Sequence, residues 1–159
     1  MAQSTPRVWL SKLVHCNSSA CGSLTARSYR IFFWVRLLSR TLRKPSVLDD
    51  LAAQYPRTQL LVLPLDVTNE AQIKYVFAQA KNAFGHIDVV YNNAGQVFYQ
   101  ELEGTAVMDV NFWGAAAVSL EAVRFFREEN PKGCGGMLVQ VSSVAAINGV
   151  PLLGFYNTT

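Results

Sequence analysis

Hydrophobic and polar positions along the chain predict short apolar strands that alternate with amphipathic helices. Short apolar runs, partly β-branched, indicate buried strands. The predicted strands are residues 7–10, 59–65, 86–91 and 137–141. Helical spacing of apolar residues predicts helices over residues 47–53 and 69–84, and a third helix that ends at Asn130. This alternation is typical of an α/β fold with a parallel sheet.

Each of the two long predicted helices has an apolar face, which we expect to pack against the sheet. In the first helix these residues are Ile73, Val76, Phe77, Ala80 and Phe84. In the second they are Ala116, Leu120, Val123 and Phe126. Gly85 suits the end of the first helix, because glycine readily takes the left-handed conformation found there.

Composition sets one segment apart. The chain of 159 residues suits a single domain, since 50% of its residues are hydrophobic and 16% are charged. Residues 1–44 hold eight basic and no acidic residues, whereas residues 45–159 hold six basic and eleven acidic ones. For residues 11–42 three interpretations stay open: a mitochondrial targeting segment, a basic membrane-surface helix, or sequence that is not native to the fold and was introduced by a shifted frame or mis-joined exon.

The number of cysteines and the lengths of the apolar runs predict the cellular compartment of the protein. Cys16, Cys21 and Cys134 are too few and too scattered for a disulfide framework or a metal site, which favours a reducing compartment. No apolar run nears 18 residues, so no transmembrane helix is expected. We expect a cytoplasmic protein, with mitochondria as the alternative that the basic segment raises.

Short polar motifs follow the predicted strands. DVT occupies residues 66–68, NNAG residues 92–95, and Asn111 lies in the helix that follows. Ser143 comes after the last strand, thirteen residues before Tyr156. Jointly, in this order, the motifs resemble those of the short-chain dehydrogenase/reductase family, over residues 7–10 and 43–159. The resemblance implies a doubly wound, Rossmann-like parallel sheet, here incomplete with about five strands.

The resemblance also implies the chemistry. In the family a hydride moves between a nicotinamide and a carbonyl or alcohol carbon of a small molecule, while a proton moves at the oxygen. Ser143 would orient that oxygen, Tyr156 would pass the proton, and Asn111 would bend its helix and hold a water in the proton relay. The alternative for Asn111 is a solvent-facing helix residue.

The cofactor implied by the resemblance is NADP or NAD. Its binding residues would be Asp66, Val67, Asn93, Ala94, Gly95 and Arg43. Arg43 would face a 2′-phosphate and so favour NADP; alternatively it is one more solvated arginine. Asp66 would lie beside the adenine, and it could also cap the next helix together with Thr68. NNAG alone could be an ordinary turn.

Three departures from the family pattern concern function. Gly22 is the only glycine in residues 1–84, where the family has a three-glycine turn that holds the pyrophosphate. Gly95 and Asn111 are 16 residues apart, about seven fewer than the family has. The family's Lys would be residue 160, and the sequence ends at residue 159.

Two functional classes therefore stay open. One is an NAD(P)-dependent oxidoreductase that acts on a carbonyl or alcohol. The other is a non-catalytic remnant, such as a truncated product, a defective gene product or a binding-only relative. For the chain as written we expect weak or lost cofactor binding and no measurable turnover. We expect no metal site and no nucleic-acid partner, and the sequence does not indicate an oligomeric state.

The family topology leads to an expectation about strand order. We place the first strand, residues 7–10, at the sheet's centre between the third and fourth strands, and the second strand outside the third. Arg36 and Arg40 lie where that second strand would have to be apolar. Because burying an unpaired guanidinium is costly, we expect residues 31–42 to be helical, frayed or loosely held.

Overall fold

Five strands form one sheet in the computed structural model, which describes residues 11–15, 37–42, 45–57, 59–97 and 106–159. The strands are β1 Ser11–His15, β2 Leu37–Leu42, β3 Leu60–Pro64, β4 Val89–Asn92 and β5 Met137–Gln140. Their order across the sheet is β3-β2-β1-β4-β5. β2 is parallel to β3 and β4 to β5, whereas β1 is antiparallel to both of its neighbours. The predicted fold class, an incomplete Rossmann-like α/β domain, is confirmed.

Helices connect these strands in the predicted alternation. They are α1 Asp49–Ala52, α2 Glu70–Phe84, α3 Ala106–Glu128 and α4 Gly154–Asn157. Within α3 the segment Asp109–Gly114 is π-helical, between the α-helical pieces Ala106–Met108 and Ala115–Glu128. The 3₁₀ turns Pro45–Leu48 and Val144–Ala146 precede α1 and follow β5.

α2 begins and ends where the sequence predicts. The Asn69 side chain accepts a hydrogen bond from the Gln72 N–H and caps the helix, so the cap is Asn69 and neither Asp66 nor Thr68. Gly85 ends the helix with a φ of 86°, which glycine adopts without steric cost. Of the predicted apolar face, Ile73, Val76, Phe77 and Ala80 are buried, as predicted.

The predicted apolar face of α3 is wrong at Leu120, whereas Phe126 packs against the core as predicted. Leu120 is 74% exposed, whereas Val118, Ala122 and Phe125 are buried against α2 and the sheet. The sequence did not reveal the buried face because this face also contains Glu121, a charged residue of a type that is usually exposed to solvent. That carboxylate is buried and paired with Arg124, whose Nη2 lies 2.6 Å from Glu121 Oε1, and pairing is what makes a buried charge tolerable.

α3 is also the one helix among the described residues that is long and apolar enough, by composition, to cross a membrane. The core helix of a globular α/β domain meets the same criterion. Here its buried side chains pack on α2, β4 and β5. The Phe77 and Phe125 rings meet across the α2–α3 contact with centroids 5.6 Å apart. We therefore assign α3 to the core of the domain.

The conformation of β2 and its place in the sheet both differ from what the sequence analysis expected. Leu37–Leu42 is not helical or loosely held: it pairs along its length with β1 on one edge and with β3 on the other. It also lies between β1 and β3, not outside β3. The expectation considered the cost of burying arginine and omitted the backbone groups of six residues, which neighbouring strands satisfy on both edges. Strands that follow each other in sequence also tend to be neighbours.

Strand β1 departs from a fully parallel sheet. The expected first strand, residues 7–10, lies outside the described residues, and Ser11–His15 occupies a central position between β2 and β4. Val14 pairs with Val89, the first residue of β4, while Lys12 pairs with Tyr91 near its end. The chain therefore leaves β1 at the edge of the sheet where β4 begins.

Cys134 is disulfide-bonded, and its partner lies outside the described residues. The expectation of too few cysteines for a disulfide framework did not anticipate this bond.

A buried amide joins the loop after α3 to the start of β4. Asn130 Oδ1 accepts a hydrogen bond from the Ile87 N–H at 3.1 Å, and its Nδ2 donates to the carbonyls of Ile87 at 2.7 Å and Gly135 at 2.6 Å. The side chain thus pairs with the Ile87 peptide groups as a neighbouring strand would. It fixes the entry to β4 where the sheet itself provides no partner.

We expect Asn130→Ala to lower the free energy of unfolding by about 3 kcal/mol, because it leaves buried backbone groups without partners. Denaturant unfolding monitored by circular dichroism measures this change. Asn82→Ala, at an exposed position of α2, is the matched control and should change stability by less than about 0.5 kcal/mol. Equal losses in the two variants would contradict the role given to Asn130.

We expect the amides of residues 38–41 to exchange slowly with deuterium, because β2 is paired on both edges. Hydrogen-exchange mass spectrometry of the intact chain measures this. The exposed turn at residues 53–57 is the internal reference. Exchange of β2 as fast as that of the turn would mean that these residues do not belong to the sheet.

Candidate active site

A cavity of about 320 Å³ lies where β4 and β5 end. In open α/β sheets this carboxyl edge is where ligands bind. Its walls are the ends of the two strands, the π-helical part of α3 and the turn of α4. The lining residues are Asn92, Asn93, Ala94, Gly95, Gln96, Val97, Asn111, Ala115, Gln140, Val141, Ser142, Ser143, Ala146, Tyr156 and Thr159. The cavity therefore brings together Ser143, Tyr156 and Asn111, which are far apart in sequence.

The NNAG motif forms one wall directly after β4. Asn92 is 3% exposed, and its Nδ2 donates to the Ala115 carbonyl of α3 at 3.2 Å. Its Oδ1 is buried and has no hydrogen-bond partner among the described residues. An unpaired buried acceptor is costly, so this oxygen is a locally unsatisfied group behind the wall of the cavity. Asn93, Ala94 and Gly95 are half-buried along the same wall.

Asn111 joins this wall to α3. Its Oδ1 accepts from the Gln96 N–H at 2.8 Å, and its Nδ2 donates to the Gln96 carbonyl at 2.9 Å and to Thr159 Oγ1 at 3.1 Å. The residue lies within the π-helical segment Asp109–Gly114, and such irregular turns are frequent at functional sites. Asn111 thus contacts two other walls of the cavity at once.

Ser143 stands at the opposite wall, after β5. Its Oγ accepts a hydrogen bond from the Ala145 N–H at 3.3 Å and caps the 3₁₀ turn Val144–Ala146. The hydroxyl hydrogen is not used in this contact, because an oxygen that accepts can still donate. Ser143 can therefore donate a hydrogen bond to a ligand while it remains fixed by the turn.

Tyr156 lies on the short helix α4 and is half-buried. Among the described residues none forms a hydrogen bond with its hydroxyl. The preceding loop is tied to α4 by Asn157, whose Oδ1 accepts from the Val150 N–H at 3.2 Å and whose Nδ2 donates to the Val150 carbonyl at 2.9 Å. In the same loop Leu152 has a φ of 64°, a strained value for a residue with a side chain.

Two predicted cofactor residues, Asp66 and Val67, do not line this cavity. The Asp66 carboxylate accepts from the N–H and the hydroxyl of Thr68, at 3.0 and 2.8 Å. Val67 is buried against α3, where a Cβ on Gly114 would come within 2.7 Å of the valine Cγ2. Arg43 lies outside the described residues. The predicted roles of Asp66, Val67 and Arg43 in binding a cofactor stay predictions.

The lining of the cavity mixes apolar and polar side chains and contains no charged one among the described residues. The ion pairs lie at the other end of α3, where Lys81 and Arg124 both bond to Glu129. The hydrogen bonds from Lys81 and Arg124 lower the pKa of that carboxyl. No group of three His, Cys, Asp or Glu side chains within the described part of the chain could hold a metal ion.

The two ends of a nicotinamide dinucleotide fit this structure differently. The cavity provides neutral hydrogen-bonding groups, which suit the nicotinamide end. The pyrophosphate end needs a glycine-rich turn after the first strand, at the same edge of the sheet. The chain leaves β1 at the opposite edge, so that turn is not supplied from the end of β1.

Several lining residues were not predicted from the sequence. Gln96, Ala115 and Thr159 carry no local signal of a site, and Gln140 carries a weak one. Gln140 reaches the Ser119 hydroxyl, which in turn donates to the Ala115 carbonyl at 2.6 Å. Only Gln140 offered a hint, because a polar residue interrupts an apolar strand directly before the two serines.

The sequence matches the family model of short chain dehydrogenases over residues 22–159. An uncharacterized oxidoreductase of Schizosaccharomyces pombe is 40% identical over 108 residues, which are 64% of this chain and 36% of that protein. Alcohol dehydrogenase 2 of Ceratitis cosyra is 28% identical over 137 residues, 86% of this chain and 50% of the relative. The chain thus spans half, or less, of the length of these relatives.

Solved structures agree on the fold. A short-chain dehydrogenase from Streptomyces avermitilis has a TM-score of 0.63 at 27% identity, over 74% of this chain and 44% of that one. The 3-ketoacyl-(acyl-carrier-protein) reductase from Brucella melitensis, solved in complex with NADH, has a TM-score of 0.64 at 23% identity, over 74% and 51%. With the family model matched over most of its residues, the chain belongs to the short-chain dehydrogenase/reductase family.

Proposed function

We propose that the protein acts in the NAD(P)-dependent interconversion of a small-molecule alcohol and its carbonyl. The observation that carries this proposal is the single cavity lined by Ser143, Tyr156 and Asn111 together with the NNAG wall. The uncharged lining favours a neutral substrate group such as a carbonyl or hydroxyl. The alcohol dehydrogenase of Ceratitis cosyra, similar over 86% of this chain, supports the same reaction class.

Each side chain has one task in this proposal. Ser143, fixed by its turn, donates a hydrogen bond to the substrate oxygen. The Tyr156 hydroxyl gives a proton to that oxygen during reduction and takes it back during oxidation. Asn111 holds the wall that carries Tyr156 against the NNAG wall through Gln96 and Thr159. A nicotinamide cofactor, when bound, supplies or accepts the hydride.

A second candidate is a binding-only or catalytically silent member of the family. The observation that favours it is the direction of β1, which ends at the edge of the sheet away from the cavity. Gly22, the only glycine in residues 1–84, agrees with this. Under this candidate the cavity still binds a small ligand, but a dinucleotide gains little from its phosphate and adenosine parts.

NADP is the cofactor that Arg43 would favour over NAD.

Turnover separates the two candidates. With NADPH or NADH and a panel of aldehydes, ketones and alcohols, the oxidoreductase proposal expects substrate-dependent absorbance change at 340 nm. Tyr156→Phe should then lower kcat/KM by about 10²- to 10⁴-fold, because the proton donor is removed. Tyr75→Phe, on the exposed face of α2, is the matched control. Turnover that persists in Tyr156→Phe would refute the role of Tyr156, and no turnover with any substrate would favour the silent member.

Cofactor affinity is the next test. We expect NADPH to bind with a dissociation constant above about 100 µM, or about −5.5 kcal/mol, because only the nicotinamide end is held. Reduced nicotinamide mononucleotide should bind within about tenfold of NADPH by fluorescence titration. Low-micromolar NADPH binding, with a much weaker mononucleotide, would instead mean that the chain does build a pyrophosphate site.

A further inference from the structure

We propose that Thr159 is a positioning residue for Tyr156, through a hydroxyl that links Asn111 to the turn of α4. The inference rests on the proposed function, in which Tyr156 moves the proton. Thr159 lines the same cavity as Tyr156. Its role would be to set where the tyrosine stands relative to the NNAG wall, without touching the reacting atoms.

Two hydrogen bonds meet at the Thr159 hydroxyl. Thr159 Oγ1 accepts from Asn111 Nδ2 at 3.1 Å and donates to the Tyr156 carbonyl at 3.1 Å. A hydroxyl has one hydrogen to give and two lone pairs, so both bonds can form at the same time. The Tyr156 backbone is thereby connected to α3 through a single side-chain oxygen.

The other end of this link is rigid. The Asn111 amide is held by both peptide groups of Gln96, at 2.8 and 2.9 Å. Its two N–H hydrogens are used, one on Gln96 and one on Thr159, so the amide plane has a single satisfied orientation. The Gln96 loop therefore holds the Asn111 side chain in place, and Asn111 in turn holds the Thr159 hydroxyl.

α4 has a second tie on its other side, the pair of bonds between Asn157 and Val150. With both ties in place the turn is held at two points by hydrogen bonds to oxygen or nitrogen, and the weaker contact of the Thr158 hydroxyl with Met108 Sδ adds to them. If the Thr159 hydroxyl is removed, the turn keeps the Asn157 tie and can pivot about it. The displaced group would then be the Tyr156 side chain, whose hydroxyl has no hydrogen bond among the described residues.

Neighbouring Thr158 provides a matched comparison. Its hydroxyl donates to the Phe155 carbonyl at 2.8 Å and contacts Met108 Sδ at 3.8 Å, and the residue is exposed. It bonds to the backbone of the same turn and has no bond to Asn111. A Thr→Val change removes the hydroxyl and keeps the shape at either position. Thr159→Val therefore removes the hydrogen bond to Asn111, whereas Thr158→Val leaves it in place.

The first experiment does not depend on turnover. The intact chain is labelled with [¹³Cζ]tyrosine, and the Tyr156 signal is assigned by its loss in Tyr156→Phe. Thr159→Val should shift or broaden the Tyr156 signal while the other tyrosine signals stay in place. Thr159→Ser, which keeps the hydroxyl, should restore it, and Thr158→Val should leave it unchanged. Thermal unfolding of each variant checks that the fold is kept.

The inference is overturned if Thr159→Val leaves the Tyr156 signal unchanged, or if Thr158→Val moves it equally. It is also overturned if Thr159→Ser behaves like Thr159→Val. Where turnover is measurable, Thr159→Val should lower kcat about tenfold or more with KM within twofold, as expected for a misplaced catalytic group, and Thr159→Ser should recover it. Failure of the proposed function appears differently: Tyr156→Phe then has no effect on turnover, whatever Thr159 does to the tyrosine signal.

Discussion

The structure depends on a single kind of contact, in which an asparagine side chain bonds to both peptide groups of a residue far away in sequence. A carboxamide carries a donor and an acceptor side by side, so it can replace a neighbouring strand for one residue. The three pairs are Asn111 with Gln96, Asn130 with Ile87, and Asn157 with Val150. Each acts where the sheet has ended and backbone groups would otherwise lack partners.

These asparagine contacts determine how the loops that form the cavity walls are attached. The strands fix only the edge of the cavity, and its walls are loops that need separate attachment. Asn111 attaches the loop after β4 to α3, and Asn157 attaches the loop after β5 to the turn of Tyr156. The two amides therefore attach the turn of Tyr156 to the loop after β4 and to the loop after β5.

The sequence predicted the parts of this arrangement that depend on local pattern. The α2 face and the strands after residue 59 follow from periodicity, and the resemblance to the short-chain dehydrogenase/reductase family implied that Ser143, Tyr156 and Asn111 share one site. The prediction failed where the structure depends on a partner, either a side chain or a neighbouring strand, that the pattern along the sequence does not show. Glu121 disguised the buried face of α3 because its partner Arg124 could not be seen, and β2 looked too basic for a strand because its two partner strands were not considered. Thr159 carries no pattern at all, since its bond reaches 48 positions along the chain.

The reversed direction of β1 has a consequence for how the sheet is assembled. β2 with β3, and β4 with β5, form two parallel ladders, and among the described strands β1 alone connects them. Its pairing with β2 spans the 21 residues 16–36. Its pairing with β4 joins residues such as Val14 and Val89, a contact of much higher sequence separation and higher closure entropy. The second half of the sheet is thus expected to join late, after both ladders exist, and a force applied across the sheet would be resisted by the few residues of β1.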